Sequence, residues 1–163
     1  MRFSVGIDLG GTNIKAGLVS ESGEIIHDII TPTNADSGEK AIASRISHAI
    51  CQLIDQGNNF GVDLQDIVGI GIGAAGLIEP VEGVVHFSPN FAGLYDIPLA
   101  GLVKEDLAHN SINCKISALP IVLENDGNAM AFGELCHGAG VRAKNLVCLT
   151  LGTGVGGGIV IDG

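Results

Sequence analysis

Glycine is clustered in this chain, and the clusters constrain the fold more than any other feature. Of 163 residues 25 are glycine, 13 of them gathered in segments 6–17, 69–76 and 152–158 beside apolar runs, whereas proline numbers only five. Glycine at the ends of apolar segments marks tight turns where bare backbone must approach something closely. Successive backbone N–H groups converging at such turns are a common way to hold phosphates. The chain therefore reads as a sheet that presents backbone loops to a ligand.

Patterning supplies the elements around those turns. Residues 3–9 read as a strand, 10–13 as a turn and 14–20 as a second strand. Ser22-Gly23 leads into a third strand over 24–31, with Pro32 as its stop. Ile42, Ile46, Ala49, Ile50, Leu53 and Ile54 recur with a period of 3.6, which predicts a helix opening at Ser37 or Gly38 and running to about Gln56. Ser37 is its expected N-cap and Gly57 its expected C-cap. A short buried strand follows over 67–73, and residues 76–98 read as irregular loop. Beyond it a helix is predicted over 99–110, a strand over 120–124, a helix over 127–136, and a hairpin of 145–151 with 156–161. Three strands in a meander, feeding parallel strands through helices, predict a mixed α/β sheet.

Composition removes several function classes. Eight Lys and Arg against 18 Asp and Glu give a net charge of −10, whereas a nucleic-acid platform needs a basic face. Hydrophobic residues at 46% support a real core. No apolar run reaches the length of a membrane span, and Met1 to Asp8 holds no export h-region. The expectation is a cytoplasmic protein with no membrane and no nucleic-acid partner. Cys51, Cys114, Cys136 and Cys148 show no C-x-x-C and no His at zinc-ligand spacing, so they read as buried reduced thiols.

Two segments share a design. Ile7-Asp8-Leu9-Gly10-Gly11-Thr12 and Leu149-Thr150-Leu151-Gly152-Thr153-Gly154 are each strand, glycine turn and strand, with Thr in the turn. The repeat predicts a first domain over 1–143 and the opening hairpin of a second, related domain over 144–163, so the chain reads as truncated. A Thr hydroxyl adds one more donor for an anion. Asp8, at the mouth of the first turn, suits a magnesium ion or its waters.

The string Gly71-Ile72-Gly73-Ala74-Ala75-Gly76 satisfies G-x-G-x-x-G, the dinucleotide fingerprint. That fingerprint needs a helix opening at its last glycine. Here Leu77-Ile78-Glu79-Pro80 follows, so the segment reads instead as a bare loop against which a small ligand can lie. Glu124-Asn125-Asp126-Gly127-Asn128 ends a predicted strand, the edge where open α/β sheets place their sites. Asp126 suits a helix N-cap. It also suits proton removal from a hydroxyl that Asn125 binds.

Together D-L-G-G-T-N, S-P-N-F-A-G-L-Y-D-I-P-L, E-N-D-G-N-A-M-A-F-G-E and L-G-T-G-V-G-G-G-I-V resemble the ROK family (repressors, open reading frames, sugar kinases), in that family's order and over essentially the whole chain. The resemblance implies an actin-like, ribonuclease-H-type ATPase fold with nucleotide and sugar between two domains. It implies that Gly10, Gly11 and Thr12, with the adjoining Asn13 and Lys15, form one nucleotide site. Gly152, Thr153, Gly154 and Gly156 form the second, and Asp8 attends Mg2+. It makes Asn125 the sugar-binding Asn, Asp126 the catalytic base, and Asn90 and Gly76 parts of the sugar wall. Ala75, Leu94 and Gly127 stand where the family often has Pro, Trp and Ala, which bears on sugar preference. The family's Glu-x-x-His sugar clamp and cysteine-rich zinc site fall beyond residue 163.

The implied activity is ATP-dependent phosphorylation of a hexose 6-hydroxyl, with glucose first and N-acetylmannosamine, fructose or allose as alternatives. A homo-oligomer is implied for the whole protein, and inactivity for this portion alone. The rival within the family is a sugar-responsive transcriptional regulator, whose helix-turn-helix precedes the sugar domain. The first strand at residue 3, the net charge and Asp126 favour the kinase. A structural or chaperone ATPase of the actin type is disfavoured by Asn125-Asp126 and Ser88-Pro89-Asn90, which suit a polyol.

Overall fold

Side-chain alternation builds the sheet. The computed structural model describes residues 1–110, 115–151 and 155–163. Strand β1 (Phe3–Leu9) buries Phe3, Val5, Ile7 and Leu9 and turns Gly6 and Asp8 to the opposite face. β2 (Asn13–Ser20) runs antiparallel to it, with Gly17 opposite Gly6 and Lys15 opposite Asp8. β3 (Ile25–Pro32) completes the meander. Pro32 does not precede the end of this strand but belongs to it, as an edge position permits.

Helix α1 (Glu39–Gly57) buries the whole predicted stripe, Ile42, Ile46, Ala49, Ile50, Leu53 and Ile54. Its caps differ from expectation. Ala35–Ser37 is a 3-10 turn, and Gly38, at φ +87, precedes the helix without a side-chain cap. Gly57 stays helical, and the chain leaves through a second 3-10 turn, Asn58–Phe60, closed by left-handed Gly61. The glycine that stops the helix is thus four residues later, where a φ of +75 is needed.

β4 (Ile67–Ala74) lies parallel to β1. The segment expected as loop contains a three-stranded antiparallel sheet instead: β5 (Leu77–Glu79), β6 (Val84–Phe87) and β7 (Tyr95–Ile97). Leu77, Phe87 and Tyr95 stand in register, and the Phe87 and Tyr95 rings stack at 6.1 Å. Asp96 sits at φ +50, its carboxylate 2.6 Å from His86 Nδ1. Strands of three or four residues, broken by Pro and Gly turns, leave too little alternation to be read alone.

Helix α2 (Leu99–Asn110) has the predicted bounds and packs beside α1. β8 (Ile121–Asn125) joins β4 in parallel, giving the order β3-β2-β1-β4-β8. Helix α3 (Asp126–His137) follows directly. β9 (Leu146–Leu151) and β10 (Val155–Val160) form a separate antiparallel pair. Contact between α3 and β10 is close: a Cβ added to Gly127 would stand 2.7 Å from the Gly157 carbonyl oxygen, and one on Gly158 equally near the Gly127 carbonyl oxygen. Backbone-to-backbone packing of this kind requires glycine on both sides.

No helix among the described residues is long and apolar enough to cross a membrane. Cys51 and Cys148 are half-buried, but Cys136 is exposed, and Cys114 lies outside the described residues. Burial, with the nearby Asp55 and Asp106, pushes the Cys51 thiol above its ordinary pKa.

Candidate active site

The C-terminal ends of three parallel strands meet at one level. Asp8 pairs in register with Gly73 and Gly73 with Glu124, while Leu9, Ala74 and Asn125 form the next row. Neighbouring strands lie about 4.8 Å apart, so Asp8 and Glu124 flank the bare Gly73 at roughly 10 Å. Above them opens a cavity of about 1350 Å³, lined by Asp8, Lys15, Gly73, Glu124, Asp126, Asn128 and Thr150 among others. Its described charged residues are Asp8, Asp28, Glu124 and Asp126 against Lys15, a balance of 1 − 4 = −3.

The first glycine turn is braced from within. Gly10 N–H donates to the Asn13 carbonyl at 3.0 Å. Thr33, fully buried, donates its hydroxyl to the Gly10 carbonyl at 2.7 Å and its N–H to the Thr12 carbonyl at 2.9 Å. The turn abuts Asn90, because a Cβ on Gly11 would come within 3.1 Å of Asn90 Oδ1. Asn90 is placed in turn by buried Ser88, whose Oγ accepts the Asn90 N–H at 3.2 Å. Lys15 Nζ reaches Asp8 Oδ2 at 3.2 Å, but both side chains are more than half exposed, so the pair adds little stability.

At the other strand end the cap of α3 is Asn125, not Asp126. Asn125 Oδ1 accepts from the N–H groups of Gly127 and Asn128 at 2.9 and 3.2 Å, and Asp126 is the first helical residue. The extended backbone of Asn125, φ −62 and ψ 136, suits a cap. Its Nδ2 donates to the Gly76 carbonyl at 3.1 Å and so ties the loop after β4 to this helix. One N–H of the Asn125 amide remains for a ligand hydroxyl among the described residues. Asp126 Oδ1 accepts the Gly127 N–H at 2.9 Å.

The predicted residues Gly10, Gly11, Thr12, Asn13, Gly76, Asn90, Asn125 and Asp126 thus converge, with Asp8 and Lys15 on the neighbouring strands. Gly156 is the second residue of the return strand β10, opposite Thr150. Gly152, Thr153 and Gly154 lie outside the described residues. After Gly76 comes the strand β5, so the helix that a dinucleotide fingerprint needs is not there. Thr33 escaped the sequence reading because it acts on chain distant in sequence; Ser88, Glu124 and Asn128 stood in strings already singled out, but their hydrogen bonds to Asn90 and around Asn125 were not legible there.

No three of His, Cys, Asp or Glu gather into a metal cluster among the described residues. A single carboxylate, Asp8, at the mouth of the first glycine turn nevertheless fits Mg2+, which usually takes one or two carboxylates plus substrate phosphates. The acidic lining agrees, because a polyphosphate enters such a cavity more readily with a divalent cation.

The sequence model of the ROK family matches residues 4–163. A glucokinase of Halalkalibacterium halodurans is 38% identical over 162 residues, 99% of this chain and 45% of its own length. A xylose repressor of Caldicellulosiruptor bescii is 31% identical over 97% of this chain and 36% of its own length. The crystal structure of a ROK family glucokinase from Streptomyces griseus, in complex with glucose and AMPPNP, superposes with a TM-score of 0.74 at 34% identity, covering 98% of this chain and 45% of that one. The chain spans about half the length of the curated relatives it matches.

Proposed function

Because the chain belongs to the ROK family, we propose that it is the N-terminal portion of a cytoplasmic ATP-dependent hexose kinase, a glucokinase. Its fold is that of the actin-like ATPases. On this reading residues 1–143 form the first domain and 144–163 open the second. One observation carries the proposal: Asp126 lines the same cavity as Asp8 and Thr150, the residues leading into the two glycine turns.

Phosphoryl transfer asks the protein mainly for positioning and charge stabilisation. The N–H groups of Gly11 and Thr12, within the turn that the Gly10–Asn13 bond closes, face the nucleotide phosphates, and Thr33 keeps that turn in shape. Asp8 would hold Mg2+, which when bound would supply positive charge against that developing on the phosphates. Asn90 and the second N–H of Asn125 bind sugar hydroxyls beside the Gly76 loop. Asp126, with Oδ1 resting on the Gly127 N–H, accepts the 6-hydroxyl proton on its other oxygen. The hydroxyl oxygen bonds to the γ-phosphorus as the bridging P–O bond breaks, releasing ADP and hexose 6-phosphate. A base so placed contributes about 10²–10⁴ in rate.

A panel of hexoses assayed with ATP and the full-length protein tests this reading. Glucose is expected to turn over with the highest kcat/KM. A sugar-responsive regulator, the reading that the xylose repressor keeps open, would bind a sugar and release no ADP.

Thr33→Val is nearly isosteric and removes only the hydroxyl. A hydrogen bond contributes about 0.5–1.5 kcal/mol net, so the KM for ATP is expected to rise about threefold to tenfold while the hexose KM holds. Thr33→Ser keeps the donor and should stay near wild type. Steady-state kinetics with each substrate varied checks this, and equal losses in both KM values would remove the link between Thr33 and the nucleotide.

A further inference from the structure

Two donors on either side of Asp126 end on one oxygen. Glu124 Oε1 accepts the backbone N–H of Asn125 at 2.8 Å and the Nδ2–H of Asn128 at 3.1 Å. In a capping box the third helical side chain would accept the N–H of the cap residue. Here that third residue is Asn128, and both it and the cap deliver their hydrogens to the preceding strand residue instead. Glu124 is itself fixed in the sheet, in register with Gly73 of β4.

Glu124 also lines the cavity with Asp8 and Asp126. With Asp28 it makes four carboxylates there, which is electrostatically unfavourable, and a neutral side chain would avoid that cost. Hydrogen bonds to an ionised acceptor are roughly twice as strong as neutral ones, and two converge here. The arrangement spends a charge to make the strand-to-helix turn rigid at Asp126 and Gly127, the two residues between the donors.

We propose that Glu124 is a positioning residue for Asp126: it clamps the first turn of α3 to the end of β8 and so fixes the direction of the catalytic carboxylate. Glu124 touches no reacting atom on this reading, which rests on the kinase function above. A misplacement of about 1 Å can cost about 10²-fold in rate, so loosening the clamp lowers kcat and leaves substrate binding alone.

The test uses Glu124→Ala, Glu124→Gln, Asn128→Ala and the double variant E124A/N128A in the full-length kinase. Glu124→Ala is expected to lower kcat about tenfold or more, with both KM values within about threefold of wild type. Glu124→Gln keeps the acceptor and should recover most of kcat. Asn128→Ala should lower kcat less, and the double variant should be no worse than Glu124→Ala, because both remove one clamp. Unchanged kcat in Glu124→Ala, loss in Glu124→Gln equal to that in Glu124→Ala, or additive effects would each overturn the proposal. Should Glu124→Ala fail to fold, Asn128→Ala decides, since it leaves the strand intact: kcat unchanged there also overturns it. If the wild type phosphorylates no hexose, the kinase reading fails by itself. The clamp is then judged by amide exchange at Asn125 and Gly127, which must quicken in Asn128→Ala for it to stand.

Discussion

On the proposed kinase function, Asp126→Asn in the full-length protein is expected to lower kcat by about 10²-fold or more while glucose and ATP still bind. The substitution is nearly free of side effects by geometry. An asparagine at 126 keeps an Oδ1 acceptor for the Gly127 N–H, the one hydrogen bond the Asp126 side chain makes in this turn. The cap of α3 is untouched, because Asn125 supplies it. What disappears is the proton acceptor, together with a negative charge at a helix N-terminus that contributes about 0.3–1 kcal/mol. Calorimetric affinities near wild type with turnover lost would assign Asp126 the base role. Turnover at the wild-type rate would reduce it to the first residue of a helix.

How the site could be read from sequence, and where reading stopped, follows from the range of the interactions. Helix α1 was legible because six apolar residues at a 3.6 period must face one way, and all six are buried. The strands β1, β4 and β8 were legible as short apolar runs, and their glycine turns pointed to the site. Caps were less so. Ser37 and Asp126 have cap chemistry, yet Gly38 and Asn125 hold those positions. A cap is decided by a backbone angle, and several adjacent polar residues qualify for it. The β5–β7 sheet was illegible because its strands are too short to show a period. Thr33 on Gly10 and Asn90 against Gly11 were out of reach altogether. Such contacts join residues far apart in the chain and exist only once the sheet has formed.

The glycines of 71–76 permit a prediction whose two halves differ sharply. They share one motif, but the structure gives them different surroundings. A Cβ added at Gly71 meets nothing within 4 Å, and one at Gly73 makes only ordinary contacts from 3.6 Å outwards. At Gly76 φ is +123, and an added Cβ collides with the Phe87 carbonyl oxygen and stands 2.9 Å from Ser88 Cα. Those are backbone atoms of β6 and its exit, and they cannot swing aside as a flexible side chain would. Bulk at Gly76 therefore does not simply crowd a sugar, as a bare loop on a pocket wall would suggest. It forces a left-handed residue to carry a side chain and pushes apart β5 and β6, which bear the wall. Backbone strain of this kind costs about 1–3 kcal/mol before the collision is counted. A loss of about 3 kcal/mol lowers Tm by about 6–12 °C for a domain of this size. Gly76→Ala is expected to show a drop of that order, and Gly71→Ala a Tm within about 2 °C of wild type. A dinucleotide fingerprint demands glycine at the first position too, for its tight turn. Thermal melts of the two variants therefore separate the cases, and a Gly71→Ala protein as unstable as Gly76→Ala would contradict the open face above β4.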